Sequence, residues 1–178
     1  MREEPKDLWV YEREAFAEGY QTVCGVDEAG RGPLAGPVCA AAVILPAGLV
    51  IDGLNDSKKL TDKKRRELYD VITQNAVSYG IAMASEREID EINILQATFL
   101  AMRRAMEQLN PQPEFALIDG NRETDFGVPC KTVIKGDSLS ANIAAASVLA
   151  KVTRDNWMME AAEKYPGYGF EIHKGYGT

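Results

Sequence analysis

Two adjacent carboxylates, Asp27 and Glu28, follow an apolar run and stand just before a turn rich in glycine. The apolar run predicts a buried strand, so the two acids would lie at its end. Carboxylates in that position, beside a backbone that a ligand can approach closely, indicate a site for a metal ion and a phosphate group. For an isolated Asp-Glu pair, the alternative is a hairpin turn that is acidic but has no chemical role.

Two further acids favour the chemical interpretation. Asp119 and Asp137 each follow an apolar run, so three separate strands are predicted to end in carboxylates. The strand ends of an open α/β sheet form the ligand crevice, where residues distant in sequence converge. Several ionised carboxylates in one place need a counter-charge, which Mg²⁺ with its oxygen ligands supplies. Two such ions, roughly 3.5–4 Å apart, would activate a water and stabilise the leaving oxygen of a phosphodiester.

Other catalytic arrangements find less support in the sequence. The one histidine, His173, lies in the C-terminal tail, and we interpret it as a surface or substrate contact. Residues 30–35 formally match the dinucleotide-binding pattern, but that pattern needs a helix next, and prolines and a β-rich run forbid one. Asp155 competes with Asp137 as a fourth acid, but its place inside a predicted helix favours a structural ion pair or capping role.

Hydrophobic periodicity predicts the elements that position these acids. Thr61 is the expected N-cap of a helix whose apolar face contains Leu68, Val71 and Ile72. The residues from Ser85 to Glu88 have capping-box spacing and predict a short helix near 89–93. The other helices are expected within residues 5–18, 94–109 and 141–164, and strands at 21–27, 37–45, 77–84 (in preference to 48–51), 115–120 and 132–137.

The order of these elements predicts an α/β fold. An antiparallel opening followed by alternating helices and strands gives a mixed sheet with helices packed on its faces. We expect residues 1–19 to form a helical extension and residues 20–178 to form the catalytic domain, because no linker divides that stretch. At 178 residues, 46% of them hydrophobic, the chain can bury a core of its own.

Composition also bears on location and partners. No apolar run approaches the roughly 18 residues of a membrane span, and the charged start is unlike a signal peptide. The three cysteines have no metal-ligand spacing, so we expect reduced core thiols in a cytoplasmic protein with no membrane partner. A net charge of −7 argues against a nucleic-acid partner. Local basic clusters and carboxylates neutralised by cations weaken that argument.

Six blocks of the sequence resemble the signature blocks of bacterial type 2 ribonuclease H, or ribonuclease HII. They come in the order of that family and span the chain from about residue 22 to its end. The blocks are residues 27–37, 55–60, 117–120, 135–137, 144–155 and 173–176.

The resemblance implies a ribonuclease H-like fold and cleavage of RNA in RNA/DNA hybrids with Mg²⁺ or Mn²⁺, two ions per active site. It also implies incision at single ribonucleotides embedded in duplex DNA, with a 3′-OH and a 5′-phosphate left at a cut on the 5′ side. Carried over by position, the four catalytic acids and metal ligands are Asp27, Glu28, Asp119 and Asp137.

The resemblance implies substrate contacts as well. Gly30, Arg31 and Gly32 match family positions that touch the 2′-OH of the ribonucleotide. Tyr176 matches a position that touches the following sugar. Asn55, Ser57 and Lys58 match positions that touch a phosphate. For Lys58 the alternative is an ordinary solvated charge before a helix.

One departure from the family pattern concerns the end of the chain. Family members commonly continue past the tyrosine into a further helix and a basic segment, whereas this chain stops two residues after Tyr176. We therefore expect the family's C-terminal helical segment to be missing, and we expect a monomer. Two alternatives stay open: a truncated form that binds hybrid duplex but cleaves weakly, and a different two-metal nuclease on the same fold.

Overall fold

A five-stranded mixed sheet forms the framework of the protein. The computed structural model describes residues 6–30, 36–54 and 59–164. The strands follow the spatial order β3-β2-β1-β4-β5, in which β1, β2 and β3 are antiparallel neighbours and β4 and β5 run parallel to β1. Their bounds are β1 Val23–Ala29, β2 Val38–Ile44, β3 Ser78–Ala84, β4 Phe115–Asp119 and β5 Cys130–Val133.

Five helices are described, and they cover both faces of the sheet. They are α1 Val10–Ala17, α2 Asp62–Asn75, α3 Glu86–Ile92, α4 Ile94–Glu107 and α5 Ala141–Lys164. Side chains alternate along β2, so Ala41 and Val43 pack in the core with α2 and α5, whereas Ala40 and Ala42 pack in the core with α4. Every residue of β2 is buried, as expected for a strand covered on both faces.

Most of the predicted elements are confirmed. The antiparallel opening forms as expected, and the third strand lies at 78–84 rather than at 48–51. The Thr61 side chain accepts a hydrogen bond from the amide of Lys64 and caps α2. Ser85 and Glu88 form the predicted capping box at the start of α3.

Three details differ from the predictions. α1 begins at Val10, and residues 6–9 are not helical. Val71 is 38% exposed and does not share the buried face of Leu68 and Ile72. β5 ends at Val133, so Asp137 lies in a short 3-10 turn beyond the strand and not at its end.

The backbone explains why β5 ends early. Lys135 adopts the left-handed conformation at φ 56°, which an extended strand does not allow. Ile134, the residue before it, is 66% exposed and adds nothing to the core.

Among the described helices, none has the length and apolarity needed to cross a bilayer.

A buried glutamate ties α1 to the start of α5. Glu12 is fully buried, and its Oε2 accepts hydrogen bonds from Ser140 Oγ at 2.8 Å, from the Asn142 amide at 3.1 Å and from Asn142 Nδ2 at 2.8 Å. The first amides of a helix have no partner within the helix and favour negative charge. Glu12 therefore acts as a remote cap, supplied by another helix.

We expect Glu12→Gln to change how stability depends on pH. Burial raises the pKa of the Glu12 carboxyl above its ordinary value of 4.5, although hydrogen bonds from Asn142 and Ser140 oppose the shift. The folded state thus binds the proton more tightly, and the free energy of unfolding falls as pH rises from about 4.5 through the folded pKa. The glutamine variant lacks this decline, so its stability relative to wild type should rise over that window.

Urea denaturation at a series of pH values, in constant Mg²⁺ and ionic strength, measures this difference. Glu18→Gln, which removes an exposed carboxylate just after the same helix, controls for the loss of one charge. A stability difference between Glu12→Gln and wild type that does not vary with pH would contradict the prediction.

Candidate active site

Parallel pairing of β1 with β4 brings the acids together. Val26 lies opposite Ile118, so Asp27 and Asp119, the next residue on each strand, reach the same edge of the sheet. One carboxylate oxygen from each of Asp27, Glu28 and Asp119 lies within 4.8 Å of the other two. The convergence predicted for these acids is therefore present in the fold.

Glu28 joins the cluster although it follows Asp27 directly. Successive side chains of a strand point to opposite faces, so a straight strand would separate the two carboxylates. The pairing between β1 and β4 ends at Val26 and Ile118, and both acids follow directly, on residues of β1 that still pair with β2. The Glu28 amide donates a hydrogen bond to Asp27 Oδ1 at 2.7 Å, which fixes the Asp27 carboxylate against the backbone.

The cluster concentrates negative charge in a place where water is scarce. Burial, together with the charges of Glu28 and Asp119, raises the pKa of the Asp27 carboxyl well above its ordinary value. Burial and the charge of Asp137 likewise raise the pKa of Asp119. Repulsion between the carboxylates adds to the effect of burial in both shifts, and such crowding favours a cation among them.

Asp137 borders the cluster from the 3-10 turn Gly136–Ser138. It is buried, and its backbone amide donates a hydrogen bond to Asp119 Oδ1 at 3.3 Å. Its charge contributes to the raised pKa values of both Asp27 and Asp119. Asp137 is therefore close enough to act on the cluster, although the three grouped oxygens come from the other acids.

Asp155, the competing candidate for a fourth acid, lies inside α5 and is fully buried. Its Oδ1 accepts a hydrogen bond from Lys151 Nζ, one helical turn earlier, at 3.0 Å. The predicted structural ion pair is therefore present.

The donor set fits a hard divalent cation. Three carboxylates offer oxygen atoms only, which are the ligands that Mg²⁺ and Mn²⁺ prefer. These crowded carboxylates carry an excess of negative charge, which a cation would neutralise. Sulfur and imidazole are absent from this group, so a zinc site of the usual kind is not indicated.

Of the predicted substrate contacts, the structure describes Gly30 alone. Gly30 is buried and follows β1 directly, in a conformation with φ +99° that side chains rarely adopt. The other predicted substrate contacts lie outside the described residues: Arg31, Gly32, Asn55, Ser57, Lys58 and Tyr176. His173 lies outside them as well. For these six residues the roles stay predictions.

Sequence reasoning gave no role to two residues that contact the connection between β1 and β2. Arg154 of α5 is buried, and its Nε donates a hydrogen bond to the carbonyl of Pro37 at 3.0 Å. Glu86 of α3 accepts a hydrogen bond from the Gly36 amide at 3.0 Å. The partners are 117 and 50 residues apart, so no local spacing in the sequence signals these contacts.

Comparison with a solved structure defines the class of protein. The ribonuclease H2 from Pyrococcus horikoshii OT3 is 28% identical, with a TM-score of 0.74 over 89% of this chain and 82% of that one. The mixed sheet with its helices is therefore the ribonuclease H-like fold.

Sequence relatives are more specific. A family model for ribonuclease HII matches residues 24–178, so the chain belongs to the ribonuclease HII family and is an enzyme of the nuclease class. A ribonuclease HII of Citrifermentans bemidjiense is 56% identical over 97% of this chain and 75% of its own length. One of Acetivibrio thermocellus is 53% identical over 97% of this chain and 67% of its own length. The chain thus spans about two thirds to three quarters of these relatives.

Proposed function

We propose that this chain is an endonuclease that cleaves the RNA strand of RNA/DNA hybrids and nicks duplex DNA on the 5′ side of single embedded ribonucleotides. The observation that best supports the proposal is the cluster of Asp27, Glu28 and Asp119 at one edge of the sheet. Membership of the ribonuclease HII family supplies the substrate class.

In this proposal Asp27, Glu28, Asp119 and Asp137 hold two divalent cations, either Mg²⁺ or Mn²⁺. Bound cations of this kind supply an activated water and neutralise charge on the leaving oxygen of a phosphodiester. The protein's own part is to hold the carboxylates in place. The Glu28 amide fixes Asp27, and the Asp137 amide fixes Asp119, each through one hydrogen bond.

Recognition of the ribonucleotide would depend on the connection between β1 and β2. Only the 2′-OH distinguishes RNA from DNA at a given nucleotide. We propose that the backbone of Gly30, Arg31 and Gly32 contacts this hydroxyl, because glycine lets the main chain approach closely. Tyr176 would lie against the next sugar and favour deoxyribose on the 3′ side. Together these contacts would place the phosphate 5′ of the ribonucleotide over the acids.

Phosphate contacts away from the cut would come from Asn55, Ser57 and Lys58, which lie in a locally basic stretch of an acidic chain. Such contacts position a duplex without reading its sequence. We propose that the enzyme works as a monomer in the cytoplasm. We further propose that residues 1–19 form a helical extension of the catalytic domain at residues 20–178, attached to α5 through the hydrogen bonds of Glu12.

Cleavage of labelled duplexes tests the proposal and separates its alternatives. An RNA/DNA hybrid, an RNA/RNA duplex and a DNA/DNA duplex of one sequence are each incubated with the protein and Mg²⁺, with EDTA as the control. We expect cleavage of RNA in the hybrid alone and none in EDTA. Retention of the hybrid without cleavage would indicate a binding form, and cleavage of DNA/DNA would indicate a different nuclease on this fold.

A further inference from the structure

A buried arginine lies beneath both ends of the β1–β2 connection (residues 30–37). Arg154 is 1% exposed although it carries a full charge, and it sits about halfway along α5. A buried guanidinium presents five N–H donors and no acceptor, so it is stable only where oxygen atoms surround it. The carbonyl of Pro37, at the end of the connection, receives the hydrogen bond from its Nε at 3.0 Å.

Two glycines make room for this side chain. A Cβ atom on Gly30 would lie 2.2 Å from Arg154 Nε, and one on Gly36 would lie 2.9 Å from Nη2 and 2.6 Å from Met158 Sδ. Both glycines also have positive φ values, +99° and +92°. The backbone at each end of the connection is therefore pressed against one guanidinium, in a shape that side chains would disturb.

A second helix holds the same connection from another direction. The Gly36 amide donates to Glu86 Oε1 at 3.0 Å, and Glu86 lies at the start of α3. Arg154 and Glu86 thus engage the far end of the connection through a carbonyl and an amide, respectively. Only Arg154 also reaches Gly30, immediately after the strand that carries Asp27 and Glu28.

We propose that Arg154 is a positioning residue that clamps Gly30 and Gly36–Pro37 together and so sets the selectivity for a ribonucleotide. The inference rests on the proposed function, in which this connection reads the 2′-OH. In this proposal Arg154 acts on the substrate through the backbone of the connection. It holds the two ends of the reading segment at a fixed separation, beside the strand that supplies the acids.

Lysine is not an adequate substitute in this role. Its ammonium is a compact point charge on a flexible stem, whereas the planar guanidinium packs against Gly30 while its Nε bonds the Pro37 carbonyl. Arg154→Lys keeps the positive charge and a similar length, so it removes the fork and little else. Selectivity should then decline while the metal-holding acids remain in place.

The first test compares Arg154→Lys with wild type on two matched duplexes, one with a single ribonucleotide and one all DNA. Binding is measured in Ca²⁺, which replaces Mg²⁺ to suppress cleavage, and kinetics are measured in Mg²⁺. We expect the preference for the ribonucleotide duplex to fall about tenfold, the scale of one lost charge-assisted hydrogen bond. KM on that duplex should rise more than kcat falls, with the Mg²⁺ concentration for half-maximal activity unchanged.

A second test uses two glycines with similar backbones and different surroundings. Gly36→Ala forces a Cβ against Arg154 and Met158, whereas Gly48→Ala, also at positive φ (+77°), meets nothing within 4 Å. We expect Gly36→Ala to reduce the preference for ribonucleotide and Gly48→Ala to leave it intact. In an Arg154→Lys background, Gly36→Ala should reduce the preference for the ribonucleotide duplex by less than it does in wild type, because both changes disturb the same clamp.

Amide hydrogen exchange gives a readout that does not depend on activity. A peptide spanning residues 30–37 should exchange faster in Arg154→Lys, while a peptide from α2 should not. Unchanged exchange in that peptide, or an equal loss of binding affinity for the ribonucleotide and all-DNA duplexes, would overturn the clamp. If wild type itself shows no preference for the ribonucleotide, the proposed function fails, and the exchange result alone decides whether the clamp exists.

Discussion

Asp119→Asn is expected to lower kcat by about 10³-fold, or ~4 kcal/mol of transition-state stabilisation, and to leave the fold intact. An amide is a poorer ligand than a carboxylate and leaves the charge of a bound cation less compensated. The side chain is otherwise similar in size, so the buried edge of the sheet should be preserved. Single-turnover cleavage of a hybrid duplex in Mg²⁺ measures the loss, and circular dichroism checks the fold.

Stability offers an independent check on Asp119→Asn. Because burial and the charge of Asp137 raise the pKa of Asp119 above its ordinary value of 3.8, the ionised form costs folding free energy at neutral pH. The neutral variant should therefore be at least as stable as wild type without metal. Mg²⁺ should raise the Tm of wild type more than that of the variant, since a ligand stabilises the state that binds it. Activity like that of wild type would rule out this site.

A comparison of Asp137→Asn with Asp155→Asn separates the two candidates for a fourth acid. Asp137 borders the cluster and raises the pKa of Asp119, so its replacement should lower kcat by at least about 10²-fold. Asp155 is paired with Lys151 inside α5, so its replacement should mainly lower stability. Removing one partner of a buried pair leaves the other uncompensated and costs about 3–5 kcal/mol, reduced here because Lys151 is partly exposed.

Urea denaturation and active-site titration together test that comparison. The titration corrects kcat for the fraction of folded enzyme, so a purely structural defect does not appear as a catalytic one. Asp155→Asn should retain the kcat of wild type per folded molecule. The reverse pattern, with Asp155→Asn inactive but stable, would exchange the two assignments.

Much of the fold follows from local patterns in the sequence. The strands with continuous apolar runs, β1, β2 and β4, could be predicted because they are buried on both faces. Caps at Thr61 and Ser85 could be predicted because their partners lie three residues away. The end of β5 could not be predicted from the sequence, because Lys135 adopts a left-handed conformation that its residue type does not demand.

Some features of the candidate site could likewise be predicted from the sequence, and others could not. The convergence of Asp27 and Asp119 follows from a general property of parallel strands, so it could be predicted from the sequence. The presence of Glu28 in the cluster could not be predicted, because alternation along a straight strand would place its side chain on the face opposite to Asp27. The buried contacts of Arg154 and Glu12 bridge 117 and about 130 residues, and tertiary packing alone brings such partners together.

The most direct test of the central claim uses an end-labelled DNA duplex that contains one ribonucleotide, incubated with the protein in Mg²⁺. We expect a single nick at the phosphodiester 5′ of the ribonucleotide, with a 3′-OH that a DNA polymerase can extend. We expect no nick in EDTA and none in the matched all-DNA duplex. A cut on the 3′ side of the ribonucleotide, or cleavage that persists in EDTA, would contradict the account.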